Sequence, residues 1–445
     1  MEIKMSKLAI LGGDPIVKVP VGDMFHWPIV NKEMEDGVLD VLRRGTMSGT
    51  DVTKEFEAKF AAYHGLKYAL GHNTGTASLH AAFFGVGLGR GDEIICPATT
   101  YWASVLPAMS LGATIVFADI DPVTYCLDPK DFEKRITERT KAVVVVHYCS
   151  YPAPIDEIVA IARKHNIKVI EDVSHAQGGH YKGQMLGTFG DVAAMSLMSG
   201  KSFAIGEAGI LLTNDQMIYE RAVLWGHYER TSTLEIPELA KFAGMPCGGY
   251  KYRMHQLSSA VGLAQLKKYD AEKAEIDKAM KYFWGQLTDI PIDSHQPKDP
   301  GSDKAGWYCS LGIYDADKMD GLSLKTFHAA LEAEGVKEVF AGGYSALHLH
   351  PLCSQFDVYG DGKPSNFAFL PEGAKLPPHK PGDLPFSEAA PNHTLTVPWF
   401  KHFRADFIDQ YAAAFRKVYE NRHELLKYDD KEVIDGKFSL SHRKN

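Results

Sequence analysis

A lysine among small residues, Lys201 in SLMSGKSFAIGEAG, has the surroundings of a nucleophile in this 445-residue sequence. It lies shortly after a predicted strand at residues 193–196, and its small neighbours would leave its amine accessible. Most exposed lysines are only solvated, so the residue type alone does not make Lys201 catalytic. Its candidacy depends on the groups that the fold brings beside it.

A carboxylate and a histidine follow another predicted strand. The run KVIED ends at Asp172, and His175 lies just beyond it. Ligands of open α/β sheets bind at the carboxyl ends of the strands. The chain from Asp172 to Lys201 is long enough for a hairpin and a further strand, so both side chains can lie at the same edge. The alternative is a purely structural role, in which Asp172 caps the following turn.

An anion site is predicted where Asn73 to His80, NTGTASLH, opens an apolar-periodic helix. Backbone amides and the positive end of the helix dipole would be available there to a phosphate. An ordinary N-cap by Thr74 or Thr76 is the alternative. The next strand is followed by PATTYWAS, which places Tyr101 and Trp102 at its carboxyl end, either as core residues or against a ligand.

These four segments together match the needs of pyridoxal phosphate. Its ring nitrogen requires a carboxylate partner, its aldehyde a lysine, and its phosphate an anion site. Two nucleotide-binding motifs, the dinucleotide fingerprint and the P-loop, are only partly matched. The glycines at 85–91 have Arg90 at the sixth position of a dinucleotide fingerprint, and the P-loop pattern ending at Lys201 has Met195 where its first glycine is required.

The elements that must position these residues alternate between short β-branched runs and helix-period stretches, which indicates an α/β fold. The four valines at 143–146 are typical of a strand buried on both faces of a parallel sheet. Helices are predicted at 155–165 and 256–280. The predicted strands lie at residues 93–96, 114–118, 142–147, 168–171 and 193–196.

Two domains are predicted. Residues 1–290 would form a large domain whose N-terminal segment packs on the small domain, and residues 291–445 a smaller C-terminal α+β domain. The boundary is indicated by IPIDSHQPKDPGS at 290–302. Residues 351–391 are rich in Pro and Gly and too long for a plain connection. This insertion is expected on the surface, with a functional role or as an oligomer arm.

Composition and charge limit the classes of partner and the cellular location that the sequence predicts. The formal net charge of -8 gives no basic field for nucleic acid, so no nucleic-acid partner is expected. The sequence has no apolar run of about 18 residues, and its N-terminal run is too short for a signal peptide. A cytoplasmic protein with reduced cysteines is therefore predicted. The spacing His348-x-His350 with Cys353 lacks a second ligand pair, and no metal site is predicted.

Five motifs in order carry a family resemblance: NTGTASLHAA, PATTYWAS, IEDVSHAQGG, FGDVAAMSLMSGK with GEAG behind it, and GYKYRMHQLSSAVGLAQL. The sequence resembles the DegT-like sugar and cyclitol aminotransferases, from about Leu8 to Pro398 and most densely between Met47 and Leu266. The resemblance implies the type I fold of pyridoxal-phosphate transferases, in which helices flank a mostly parallel sheet in the large domain. It also implies a homodimer with shared active sites.

The resemblance implies a role for each matching residue in the cofactor's chemistry. Lys201 would form the covalent link to pyridoxal phosphate and then act as the base that moves the proton. Asp172 would pair with the pyridinium nitrogen and His175 would hydrogen-bond near the ring hydroxyl. Tyr101 would stack on the ring.

The same resemblance assigns the cofactor's phosphate to Gly75, Thr76 and Ser196. Lys251 stands in GGYKYRM where the family commonly has an asparagine that reaches the phosphate of the neighbouring subunit. A charge-assisted contact from Lys251 to that phosphate is therefore expected.

The activity implied is transfer of an amino group from glutamate or glutamine to a keto sugar or keto cyclitol, and LAILGGDPIVKVP favours cyclitols. Two alternatives remain: a PLP- or PMP-dependent sugar dehydratase, whose relatives carry histidine in place of the lysine, and a catalytically silent PLP-binding regulator. Candidate substrate-pocket residues are Tyr148, Tyr151, His227 and Tyr344. A nucleotide diphosphate would need basic residues, for which Arg230, Lys251 and Arg253 are candidates.

Overall fold

The computed structural model describes residues 7–438. Residues 1–6, which begin the predicted large domain and the N-terminal run, and residues 439–445, which end the predicted small domain, lie outside the described residues. The strands are β1 Tyr68–His72, β2 Glu93–Pro97, β3 Thr114–Ala118, β4 Thr140–Val146, β5 Lys168–Asp172, β6 His180–Tyr181, β7 Gln184–Met185, β8 Val192–Ser196, β9 Gly209–Thr213, β10 Ile292–Asp293, β11 Leu311–Tyr314, β12 Phe340–Ala341 and β13 Thr394–Thr396.

The helices lie before, between and after these strands. They are α1 Lys32–Arg43, α2 Asp51–His64, α3 Gly75–Gly85, α4 Pro129–Arg135, α5 Ile155–Lys164, α6 Gln216–Gly226, α7 Pro237–Ala240, α8 Gln256–Gly285, α9 Leu324–Ala333, α10 Pro351–Ser354, α11 Pro385–Ala389, α12 Ala405–Glu420 and α13 Arg422–Leu425.

The larger sheet has seven strands in the order β1-β9-β8-β5-β4-β2-β3. The neighbours from β8 to β3 all pair in parallel, whereas β9 is antiparallel to both β1 and β8. The five predicted strands are all present, with ends within two residues of the predicted ones. The valines at 143–146 are at most 2% exposed, as expected for a strand covered on both faces. The predicted α/β fold class is confirmed.

This topology fixes where functional side chains can meet. Since β9 reverses direction between β1 and β8, strands β1, β2, β5 and β8 all point the same way. Their carboxyl ends therefore lie at one edge of the sheet. The predicted phosphate motif, aromatic motif, carboxylate and lysine follow these four strands and reach that edge together.

A second, antiparallel sheet has the order β10-β11-β13-β12 and lies in the C-terminal part of the chain. Its apolar cluster includes residues of α8, α9 and α12 and also Leu8 and Met24 from the N-terminal segment. The N-terminal segment is thus part of the same core as the small sheet. The division into domains at residue 290, between α8 and β10, stays a prediction.

The insertion at 351–391 lies along the open edge of the larger sheet. The Asn366 side chain accepts from the Ile115 amide at 2.7 Å and donates to the Ile115 carbonyl at 3.1 Å. Asp119, just beyond β3, accepts from the amides of Phe386 and Ser387. The insertion therefore covers the unpaired edge of β3, which would otherwise be available for pairing with another chain.

The histidines of the metal-like spacing have other partners. His348 Nε2 lies 3.0 Å from Glu388 Oε1, within the insertion. His350 Nδ1 accepts from the Leu352 amide and caps α10. Among residues 7–438, no helix is both long and apolar enough to cross a membrane.

A buried ion pair joins the N-terminal segment to the small sheet's helices. Glu334 accepts from the amides of Ala9 and Ile16, and from Lys417 Nζ at 2.8 Å. The side chains of Glu334 and Lys417 are 0% and 7% exposed. Such a pair is costly to break because one charge remains buried without a partner.

We predict that Glu334→Ala lowers the free energy of unfolding by about 3 to 5 kcal/mol, because it leaves the buried charge of Lys417 without its carboxylate and two amides without their acceptor. Urea unfolding followed by circular dichroism measures the change. The double variant Glu334→Leu with Lys417→Met should recover part of the loss. Asp36→Ala, which breaks an exposed pair with Lys32, is the control and should change little. An equal effect of the two alanine variants would contradict the prediction.

Candidate active site

A cavity of about 740 Å³ lies at the carboxyl edge of the larger sheet, where the small sheet also contributes its lining. Seven of the eight predicted site residues line it: Gly75, Thr76, Tyr101, Asp172, His175, Ser196 and Lys201. From the small sheet come Phe340 of β12 and Thr396 of β13. The topology therefore brings together residues that are more than 120 positions apart in the sequence.

One end of the cavity is the first turn of α3. Thr74 is the N-cap, and its hydroxyl accepts from the Ala77 amide at 3.0 Å. The expected N-cap is therefore present, and the amides of Gly75 and Thr76 remain at the cavity for an anion. A Cβ on Gly75 would lie 2.6 Å from Ser196 Cβ, so only glycine lets this turn approach the end of β8. This contact places Ser196 beside the helix N-terminus.

Asp172 ends β5 and is 4% exposed. Its Oδ2 accepts from the Ser104 hydroxyl at 2.7 Å and its Oδ1 from the Ser174 amide at 3.1 Å. Asp172 therefore does cap the turn that follows β5. Among residues 7–438, however, no basic side chain pairs with this carboxylate. A buried carboxylate of this kind is stabilised when a cationic group comes within hydrogen-bond distance.

Lys201 follows β8 and is 8% exposed. Its ammonium lies 4.2 Å from the centre of the Tyr308 ring, and its carbonyl accepts from the Trp27 indole at 2.8 Å. Burial lowers the pKa of the Lys201 amine from its ordinary value of 10.5. A larger fraction of the amine is therefore neutral near pH 7, and only the neutral amine is a nucleophile.

His175 is buried beside Lys201 and Asp172. Its Nδ1 accepts from the Cys149 amide at 3.3 Å, which assigns the proton to Nε2. Burial, and secondly the charge of Lys201, hold the pKa of this imidazole well below its usual 6.5. His175 is thus a neutral side chain with one N–H to donate.

Of the four predicted substrate-pocket residues, Tyr344 lines the cavity and the other three do not. Tyr344 lines the cavity with Tyr101, at 6.1 Å between ring centres, and Tyr148 lies behind it at 6.0 Å. Tyr151 packs on His295 instead, and His227 packs against His72. Neither of these two lines the cavity.

The basic candidates also lie outside the cavity. Arg230 is buried against Glu57 with a 2.7 Å ion pair, and Arg253 donates to the Ser48 carbonyl. Lys251 is exposed and lies 5.4 Å from the centre of the Tyr228 ring. Its predicted contact would be made to another subunit, and it stays a prediction.

Sequence reasoning missed several residues of the site. Ser104 and Ser174 lie inside quoted motifs, PATTYWAS and IEDVSHAQGG, so the hydroxyls beside Asp172 could have been found there. Other residues come from distant, unremarkable segments: Trp27, Tyr308, Cys309, Glu338, Trp399 and Lys401 all line the same cavity. Nothing in the sequence next to such single aromatic, acidic or basic residues indicates that they belong to a site.

Several curated proteins are similar along most of the chain. A putative L-glutamine:3-amino-2,3-dideoxy-scyllo-inosose aminotransferase of Micromonospora echinospora is 33% identical over 81% of this chain and 84% of its own length. The L-glutamine:2-deoxy-scyllo-inosose aminotransferase of Streptomyces kanamyceticus is 30% identical over 95% and 99%. A spore coat polysaccharide biosynthesis protein of Bacillus subtilis is 35% identical over 88% and 96%.

Solved structures share the fold. An aminotransferase from Psychrobacter cryohalolentis matches 89% of this chain and 99% of its own, with a TM-score of 0.76 and 24% identity. An Escherichia coli GDP-4-keto-6-deoxy-D-mannose-3-dehydratase matches 92% and 100%, with a TM-score of 0.73 and 20% identity. The model of the DegT/DnrJ/EryC1/StrS aminotransferase family matches residues 28–416. This match covers most of the chain and includes every predicted site residue, so the protein belongs to the DegT/DnrJ/EryC1/StrS aminotransferase family.

Proposed function

We propose that this protein uses pyridoxal phosphate to move an amino group from glutamine or glutamate to a keto cyclitol or keto sugar. The observation that carries the proposal is that one cavity is lined by a buried lysine, a helix N-terminus and a buried carboxylate that has no cationic partner within the part of the chain that the structure describes. The lysine can react with the cofactor's aldehyde, the carboxylate can pair with its protonated ring nitrogen, and the helix N-terminus can bind its phosphate.

The described residues fit this cofactor. The amides of Gly75 and Thr76, with Ser196 beside them, suit its phosphate. Asp172 would accept from a protonated ring nitrogen, and His175 Nε2–H would donate near the ring hydroxyl. Tyr101 would cover one face of the ring. When bound, the cofactor supplies an electron sink that stabilises negative charge on the donor's α-carbon.

The chain's own residues would then move protons. Burial lowers the pKa of Lys201, so its amine gives up a proton more readily than an exposed lysine and can accept and return one. Asp172 would keep the proton on the ring nitrogen, because Ser104 and Ser174 hold the carboxylate in place and leave its charge unneutralised. The presence of Lys201 also argues against the two alternative functions, the sugar dehydratase and the silent regulator, because both are expected to lack this lysine.

The substrate class is inferred from the relatives and from the lining. Two of the similar proteins are named for amino transfer from L-glutamine to scyllo-inosose derivatives. Among the described residues that line the cavity there is no arginine, and Arg230 and Arg253 are engaged elsewhere. Apart from Lys201 and Lys401, the described lining thus offers a nucleotide diphosphate no lysine or arginine, which supports a polyhydroxylated ring without that group.

A homodimer with shared sites is part of the proposal. Lys251 is exposed in a region where Tyr228, Phe242 and Met245 also expose 39%, 50% and 77% of their surface. Exposed apolar side chains in the segments that flank Lys251 in the sequence are consistent with a partner subunit that covers them. Lys251 would then complete the partner's cofactor site.

The first prediction concerns the purified protein's absorption spectrum. The visible band of a lysine-bound cofactor should disappear on addition of glutamine or glutamate. Borohydride reduction before the donor is added, followed by peptide mapping, should place the pyridoxyl label on Lys201, and Lys201→Ala should carry none. A protein that gains no label even after incubation with pyridoxal phosphate would refute the proposal.

The second prediction concerns Asp172. Asp172→Asn should lower the rate of amino transfer by about 100-fold or more, because a neutral amide cannot hold the ring-nitrogen proton. The pyridoxyl label on Lys201 should persist. Ser104→Ala, which removes only the supporting hydroxyl, should have a smaller effect in the same direction. Single-turnover kinetics with the donor measures both, and full activity of Asp172→Asn would contradict the assigned role.

The third prediction concerns Lys251. Lys251→Ala should weaken cofactor retention about tenfold, as expected for loss of a charge-assisted hydrogen bond. Equilibrium dialysis measures retention, and light scattering checks that the dimer remains. Lys241→Ala, an exposed lysine beside Phe242, is the control. Unchanged retention in a dimeric Lys251→Ala protein would remove Lys251 from the site.

A further inference from the structure

The cavity holds a second amine that the proposed chemistry does not use. Lys401 follows β13, lines the cavity and is 4% exposed. Its backbone amide donates to the Met24 carbonyl at 3.1 Å, which fixes the residue's position against the N-terminal segment. Its side chain lies between the small sheet and the cavity.

The ammonium of Lys401 has no hydrogen-bond or ion-pair partner among residues 7–438. It rests on the indole face of Trp399 and lies 5.5 Å from the centre of the Trp27 ring. Glu338 also lines the cavity and attracts the charge of Lys401, but the two do not form an ion pair within 4 Å. Burial accordingly lowers the pKa of Lys401 well below its usual value. A buried ammonium in this state is stabilised by an anionic ligand.

Lys401 and Lys201 belong to one wall of the cavity. The Lys201 ammonium lies on Tyr308, and the ring centres of Tyr308 and Trp399 are 5.7 Å apart. Trp27 touches both sides of this wall, since its indole N–H donates to the Lys201 carbonyl and its ring lies 6.2 Å from Trp399. A ligand with its reacting atom at Lys201 can therefore place an adjacent group toward Lys401.

The anion that fits this position is a carboxylate. In an amino acid whose α-carbon reacts at Lys201, the α-carboxylate is attached directly to that carbon. The cofactor's phosphate, by contrast, would lie at the N-terminus of α3, which is a different part of the lining. A keto cyclitol carries no anionic group at all. Of the proposed ligands, only the amino-acid donor brings a negative charge that needs a partner near Lys201.

We propose that Lys401 binds the α-carboxylate of the amino-acid donor and so determines that an α-amino acid is accepted. This inference rests on the proposed amino transfer. It explains why a buried lysine lines the same cavity as the reacting lysine without an ion-pair partner among residues 7–438. It also assigns a part in donor recognition to the segment after β13, because Lys401 lies five residues beyond the end of that strand.

The test measures carboxylate binding separately from turnover. Isothermal titration of the cofactor-loaded protein with glutarate, which has no amine to react, gives its affinity for a carboxylate. Lys401→Met should weaken glutarate binding about 30-fold or more, because a desolvated charge pair is lost. Lys401→Arg, which keeps the charge, should restore part of it. Lys278→Met is the matched control, since this exposed lysine lies on Phe403 outside the cavity.

A second measurement identifies the group that is recognised. The apparent affinity for L-glutamine and for its α-carboxamide is taken from the donor-induced change in absorbance. The unsubstituted protein should prefer glutamine strongly, and Lys401→Met should lose most of that preference. If neither compound changes the spectrum of the unsubstituted protein, the proposed amino transfer fails, and the glutarate titration still decides the role of Lys401.

Several results would overturn the inference. These are equal glutarate affinity of the unsubstituted and Lys401→Met proteins, no measurable glutarate binding to either, or a loss confined to a nucleotide-diphosphate sugar. A structural role makes a different prediction for ligand-free protein. Removal of an unpaired buried ammonium should leave the melting temperature unchanged or raised. A fall of several degrees together with lost binding would show that Lys401 supports the fold instead.

Discussion

The structure depends on a close contact between the start of a helix and the end of a strand. Gly75 in the first turn of α3 lies against Ser196 at the end of β8, and Gly209 at the start of β9 lies so close to Thr74 that a Cβ would be 2.3 Å from its carbonyl oxygen. This approach places the helix N-terminus beside the segment that carries Lys201. Any larger side chain at Gly75 would push the anion site away from the lysine.

The parallel strands extend this arrangement to the other groups. Asp172 ends β5, the direct neighbour of β8, so its carboxylate and Lys201 lie at adjacent positions of one edge. Among residues 7–438, the site therefore combines a carboxylate without a cationic partner, helix amides without an acceptor, and two buried amines, of which Lys401 comes from the segment after β13. Leaving such groups unpaired costs stability, and bound ligands would return it.

Local sequence pattern predicted the sheet well, since buried β-branched runs such as residues 143–146 have few other structures available. It also pointed to four segments that follow strands, and the family resemblance assigned the seven lining residues within or beside those segments. Pattern did not reveal Trp27, Tyr308 or Lys401, which reach the cavity only through packing of the N-terminal segment and small sheet. Tyr151 follows β4 and His227 follows α6, and their side chains pack on His295 and His72 instead of lining the cavity. The position of the insertion against β3 likewise depends on contacts such as Asn366 with Ile115.

The central claim is that Asp172, Lys201 and the N-terminus of α3 hold one pyridoxal phosphate. A crystal structure of the protein grown with pyridoxal phosphate tests it most directly. The account predicts electron density continuous with Lys201 Nζ, a ring nitrogen within hydrogen-bond distance of Asp172, and the phosphate on the amides of Gly75 and Thr76. A cofactor bound elsewhere, or a ring nitrogen without contact to Asp172, would contradict the account.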